Sequence, residues 1–402
     1  MTEVRRPGSE VRGPTSEARR PTSAVRRPEP DAAGRVLSID AFRGLVMGLM
    51  LAEAMRLWTL QAAYPGSTFW ALVAFNTTHV PWRGCSLHDL IQPAFSFLVG
   101  AALPFSIASR RAAGASFGRM LAHAVWRSAA LVLLGIFLRS LDRRQTYWTF
   151  EDTLTQIGLG YTCLFLLAFA RLRTQAAVFV AILAGFWAAF VLYPAPAPGL
   201  FAHFGKNTNL SWAFDVWFLN LFPREAPFRF NSGGWSTLSC IPTLATMMLG
   251  LWTGQWLRTA RTAEEKFKGL LLAGTGLALA GLMLDALGIC PIVKRVWTSS
   301  YTLYSGGLVV VMLAVLYGIV EIKGWKHWAF PLLVLGANSI AVYVMSWTME
   351  EFVRDALVRH LGRGPFAALG APFEPVLRGA AVLLVFWLVL AWMYRRRIFV
   401  RL

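Results

Sequence analysis

Apolar stretches long enough to cross a bilayer recur along most of the chain, and they leave few folds open to it. A helix needs about 20 such residues to traverse the hydrocarbon. Runs of that kind fall near 42–64, 87–109, 121–140, 152–171, 175–195, 238–257, 267–288, 299–321, 328–352 and 375–394. The expected fold is therefore all-α: a polytopic membrane bundle of about ten transmembrane helices. A further short helix fits the 196–237 connection, around WAFDVWFLN. Composition agrees. Of 402 residues, 56% are hydrophobic and 15% charged, whereas soluble domains carry roughly one-quarter charged residues. Four cysteines are too few for disulfides to organise such a chain. A net charge of +18 would suit nucleic acid, but the basic residues punctuate apolar runs instead of forming one face with stacking aromatics, so no nucleic-acid partner is expected.

Lys and Arg near span ends set orientation. With ten spans both termini share a side. The loops alone barely decide: the set with Arg110, Arg111, Arg171, Arg173, Arg258, Arg261, Lys323, Lys326 and Arg395–Arg397 holds 15 basic residues against 13 opposite, and the eight arginines of the N-terminal tail tip the count to 23 against 13. Both termini are therefore expected in the cytoplasm. Residues 1–34 repeat a Ser, small residue, Arg-Arg-Pro theme without an apolar stripe. They read as a disordered basic tail, separate from a transmembrane domain over 35–402, and not as a secretory signal.

Ionisable groups inside a bundle mark functional sites. The densest cluster lies in FNTTHVPWRGCSLHDLIQPAFSFLVG (75–100), with His79, Trp82, Arg83, His88, Asp89 and Gln92 at the expected outer face. His79 is the best candidate for a general base. Asp89 and Gln92 share a face of the second span, and His88 is expected to point away from it. Ser86 and Asp89 could equally form a helix-capping box. Glu53 lies well into the outer half of the first span. It could pair with Arg56 one turn on, or stand beside His79. Asp152 and Gln156 lie one turn apart at the outer start of the fourth span, and Gly233–Gly234 opens the sixth with backbone able to approach a ligand closely.

Lys294 and Arg295, set against Trp297 and Tyr301, suit an anionic or sugar ligand, or equally an interfacial aromatic belt. Asn338, with Ser339 and Ser346, sits within a span, where interhelical packing is the commoner role. Cys85 and Cys290 both fall near the outer face. No His/Cys/Asp/Glu spacing reads as a metal site, and neither a phosphate loop nor a dinucleotide fingerprint is present. On residues alone, an enzyme and a transporter or flippase for a sugar or lipid-linked substrate both remain open.

Several strings occur in a telling order: RVLSIDAFRGLVMGLM, HVPWRGCSLHDLIQPAFSFLVGAALPFS, QIGLGY, GGWSTLSCIPTLATMMLGLWTGQ, VKRVWTSSYTL and LGANSIAVYV. Together they resemble the heparan-α-glucosaminide N-acetyltransferase family, including bacterial relatives of unassigned function. The most specific element comprises His79, Trp82, Gly84, Asp89, Leu90, Ile91, Pro93 and Phe95. The resemblance covers the membrane part, 35–347, and implies an acyl-CoA-dependent transmembrane N-acetyltransferase. Such a protein moves an acetyl group from cytosolic acetyl-CoA to an amino sugar or glycan across the membrane. It implies His79 as the active-site histidine, acting as base or as acyl carrier; on the residues themselves, Glu53 or Asp89 beside it would orient the ring and raise its basicity, which makes both catalytic candidates. Trp82, Gln92, Lys294, Arg295, Trp297 and Asn338 are then candidates for substrate binding. The family's asparagine in the first span falls on Ala54, beside Glu53, so this chain departs from the pattern there. A bacterial inner membrane, a periplasmic acceptor and a homodimer are compatible with the resemblance, and no metal is called for.

Overall fold

The computed structural model describes residues 1–2 and 36–400; the basic tail expected over 1–34 lies almost wholly outside them. The described chain is helical. α1 (Leu37–Leu51) tightens into a 3-10 turn and is followed by two short helices, α2 (Thr59–Ala63) and α3 (Thr68–Thr77). After a loop come α4 (Ile91–Ala112), entered through a 3-10 turn at His88–Leu90, and α5 (Phe117–Ser140). α6 (Thr153–Leu167), α7 (Leu172–Leu192) and the short α8 (Leu210–Phe218) precede α9 (Cys240–Leu257). α10 (Ala263–Ala286) pairs with α11 (Ser299–Tyr317). The chain closes with α12 (Phe330–Ala337), α13 (Ser339–Thr348), α14 (Glu350–Leu361) and α15 (Glu374–Arg395).

Among the described residues, six helices are long and apolar enough to cross a membrane, or seven if the bent pair α12–α13 is one span. The other three expected spans coincide with α1, α6 and α9, of 15, 15 and 18 residues. Two boundaries differ from the sequence reading for local reasons. The first apolar run does not continue to residue 64, because Arg56 takes a left-handed backbone (φ 51°) and ends the helix. The run over 328–352 is bent by 67° at Asn338. The short helix anticipated in the 196–237 connection is α8.

The bundle is sided as a lipid-embedded protein should be. Polar groups point inward: Ser96, Gln156, Thr243, Thr246 and Ser305 are buried. Large apolar side chains point outward along α5 (Trp126, Leu133, Phe137), α10 (Leu272, Leu279, Met283) and α15 (Leu384, Leu388, Trp392). Hydrocarbon rewards that distribution and water does not. The core is closed by Phe42, Phe97, Met247, Met248, Leu251 and Leu313. α4 and α9 approach unusually closely, because a Cβ built on Gly250 would lie 1.9 Å from the Phe97 carbonyl oxygen. Small residues at such crossings let helix backbones touch.

Candidate active site

The site forms where the loop before α4 meets the loop before α11. The two loops clasp each other. Gly84 N–H donates to the Ile292 carbonyl at 2.8 Å, and Arg83 and Gly84 make β-bridges to Val293. Asp285, at the end of α10, ties both: it pairs with Arg83 at 2.8 Å and accepts from Ile292 N–H at 2.8 Å. This clasp brings Lys294 to His79 across 215 residues of sequence.

Asp89 is the hub and is almost completely buried. Its Oδ2 accepts from the backbone N–H groups of Ser86 (3.1 Å) and Val80 (3.2 Å) and from the Ser86 hydroxyl (3.0 Å). Ser86 Oγ in turn accepts from Asp89 N–H at 3.3 Å. The capping box read from the sequence therefore exists. It uses one carboxylate oxygen and leaves the other, Oδ1, for His79 Nδ1 at 2.7 Å and Lys294 Nζ at 3.3 Å. The Tyr301 hydroxyl donates to the Asp89 carbonyl at 2.7 Å and anchors the turn to α11.

Nδ1 of His79 faces a carboxylate at charge-assisted distance, so it carries the proton and Nε2 holds the free lone pair. Lys294 also lies 3.2 Å from Nδ1, and its charge is taken up by Asp89. Burial pulls the His79 pKa below its ordinary 6.5, the Asp89 hydrogen bond opposes this, and Lys294 reinforces it. The net shift is downward, and the ring is neutral at neutral pH. Burial likewise lowers the Lys294 pKa, with Asp89 opposing. Cys85 stays a thiol, since burial pushes it up to about 12; Cys85 and Cys290 are both free cysteines.

Aromatic and second imidazole groups complete the opening, where 36% of the His79 side chain is exposed. Trp235 meets the His79 ring edge-on with centroids 5.5 Å apart, and Lys294 and Arg295 each lie 5.2 Å from its centroid. Arg295 also donates to the Gly233 carbonyl at 2.6 Å. Gly234, at φ 78°, lets Trp82 approach to a distance no Cβ would allow. His88 does not point away. The 3-10 turn rotates it against His79, with centroids 4.4 Å apart. Glu53 then faces His88, Oε2 to Nε2 at 3.9 Å, and not His79.

The remaining candidates are dispersed. Trp82 donates to the Phe204 carbonyl at 3.1 Å. Gln92 lies in the first turn of α4 and donates to Gln156 at 3.1 Å. Trp297 is buried, bonded to Thr246 at 3.1 Å, and faces the core because its own backbone is left-handed (φ 54°). Asn338 bonds Ile398 and Val400 of the C-terminal segment, each at 3.0 Å, and so ties that segment to the α12–α13 break. His88 and Trp235 escaped sequence reasoning as site residues. A turn type decides the first, and no local pattern marks the second. Among the described residues no His/Cys/Asp/Glu group could hold a metal ion.

Fold and site together define a class: a polytopic membrane-helix protein with an oriented, neutral histidine opening at one end of the bundle. Comparison with known proteins narrows this. The chain is 24% identical over 370 residues to human (Homo sapiens) heparan-alpha-glucosaminide N-acetyltransferase, covering 79% of this chain and 53% of that protein. It is 23% identical over 373 residues to the Mus musculus protein of the same name, covering 80% and 54%. These matches support membership in that family. The chain spans about half the length of both relatives. No protein-family model matches it.

Proposed function

We propose that this protein is a membrane acetyltransferase that carries an acetyl group from acyl-CoA to the amino group of a sugar or glycan on the opposite side of the membrane. The observation that carries this reading is the His79–Asp89 pair, 2.7 Å apart, opening at one bundle end. Counting α1, α6 and α9 as crossings beside the seven gives ten spans, with both termini cytoplasmic and His79 facing the periplasm of a bacterial inner membrane.

Acyl-CoA supplies a thioester carbonyl when bound. The inner end of the bundle has the charge a nucleotide needs. Among the described residues Arg110 and Arg258 there pair with no carboxylate, and midway along α5 the buried Nε of Arg127 has no hydrogen-bond partner. At the other end, Nε2 of neutral His79 accepts the proton from the amine as it attacks the thioester carbonyl; the C–S bond then breaks and the imidazolium returns a proton to the departing CoA thiolate. Asp89 holds the Nδ1–H tautomer and stabilises the imidazolium that results. Lys294 and the Asp89 cap keep that carboxylate ionised and fixed. Trp235, with Lys294 and Arg295 over its ring, gives a sugar an aromatic and cationic wall beside the base.

The test uses purified full-length protein, labelled acetyl-CoA and a panel of amino sugars. His79→Ala should lower transfer about 10²–10⁴-fold while CoA binding and elution profile persist. An active His79→Ala protein would overturn the assignment.

A further inference from the structure

A second concavity, whose lining shares no residue with the His79 cluster, lies between the loops that follow α5 and α8. A cavity of about 460 Å³ is lined by Arg143, Arg224 and Arg229 with Tyr147, Trp148 and Phe230, and Glu225 is its one acid. Its wall is preformed. Arg224 donates to the Leu219 carbonyl at 2.8 Å and to the Trp148 carbonyl, while Trp148 stacks on Phe222 at 5.2 Å. Arg143 lies 4.7 Å from the Tyr147 ring centroid. Among the described residues neither Arg143 nor Arg229 makes a side-chain hydrogen bond or ion pair. Two guanidinium forks thus face a cavity with no carboxylate matched to them, the arrangement that recognises phosphate oxygens.

The surroundings say which phosphate. An apolar stripe climbs the exposed face of α5 through Trp126 (65% exposed), Leu133 (59%), Phe137 (58%) and Leu141 (42%), ending two residues before Arg143. The rim continues with Leu221 (63%) and Phe230 (60%). Those spacings of seven, four and four keep the stripe on one side of the helix. A free anion would gain nothing from it; acyl chains would lie along it. We infer that this cavity binds the phosphate headgroup of an anionic lipid whose chains rest on the α5 stripe. The inference does not depend on the acetyl-transfer reading.

Native mass spectrometry of delipidated, full-length protein in detergent tests it, with phosphatidylglycerol, diacylglycerol and glycerol phosphate as probes. Phosphatidylglycerol should bind, and an Arg143→Gln/Arg229→Gln variant should weaken it about tenfold or more. An Arg143→Lys/Arg229→Lys variant should keep most of the binding, and Arg144→Gln, whose side chain is outside the cavity lining, should change it little. Equal binding by the double Gln variant, or an equal loss in Arg144→Gln, would overturn the site. Glycerol phosphate binding as tightly as the lipid would overturn the lipid and leave a soluble phosphate site. Should the double variant not fold, the wild-type comparison still decides: diacylglycerol binding as well as phosphatidylglycerol removes the phosphate from the argument.

Discussion

Lys294 and Asp89 form an ion pair at 3.3 Å with side chains only 3% and 1% exposed. Breaking a buried pair leaves one bare charge and costs about 3–5 kcal/mol. Lys294→Met or Asp89→Asn should each lower thermal stability strongly. The double variant should recover part of the loss, because it buries no unpaired charge. Melting curves of the three proteins in one detergent check this; additive losses would mean the pair is not coupled.

The pH profile of transfer isolates the charges acting on His79. The folded pKa lies below 6.5, so the base is in its active form above that lowered value and activity falls as pH drops through it. Removing Lys294, which lowers the pKa, should move the acid limb of kcat/KM to higher pH. Removing the Asp89 charge should move it lower. Glu53→Gln should leave the limb in place, since Glu53 faces His88 and is not among the charges acting on His79. A shifted limb in Glu53→Gln would restore the first-span carboxylate to the role expected from the sequence alone.

Asp215, on α8, is buried and its carboxyl is pushed up from 3.8 to about 7. Burial is the cause, opposed in part by the Thr237 N–H at 3.0 Å. A raised carboxyl favours the folded state most at low pH, and that contribution is lost as pH rises through about 7. Asp215→Asn keeps an acceptor without a charge. At pH 8 it should therefore raise the Tm, by something on the order of 2 °C, and the advantage should vanish in acid. A Tm difference independent of pH would refute the linkage.

Gly250→Val should be among the most damaging changes in the membrane core. The new Cβ meets the Phe97 carbonyl oxygen at 1.9 Å, and backbone cannot step aside without parting α4 from α9. Overpacking of this kind costs about 1–3 kcal/mol or more. Gly276→Val on α10 is the matched control, with nothing within 4 Å of its Cβ. Comparable yields and melting points for the two would contradict the close crossing.

Much of this architecture is legible in composition, because apolar runs of fixed length are a strong signal and α4, α5, α7, α10, α11 and α15 follow from it directly. His79 and Asp89 are legible too, being ten residues apart in one polar island. Lys294 stands out as a basic residue among aromatics, yet its partners lie 200 residues away and nothing local names them. Trp297 and Asn338 illustrate the opposite failure. Their residue types suggest ligand contact, but one left-handed backbone angle turns the indole into the core, and the C-terminal segment takes up the amide. His88 was misdirected by assuming α-helical spacing where the chain takes a tighter turn. Such choices of backbone state are made by tertiary contacts and carry no periodic trace.

The clasp between Gly84 and Ile292 has a bearing on how the protein matures. His79 and Asp89 leave the ribosome long before Lys294, and each polypeptide segment can insert in the membrane on its own account. Lys294 nevertheless reaches that pair only when the loop between α10 and α11 docks on the loop before α4. A product terminated before α10 would therefore carry the His79–Asp89 pair without the lysine that lowers the imidazole pKa, so the charge balance of the site is set last, by the most distant segment of the chain.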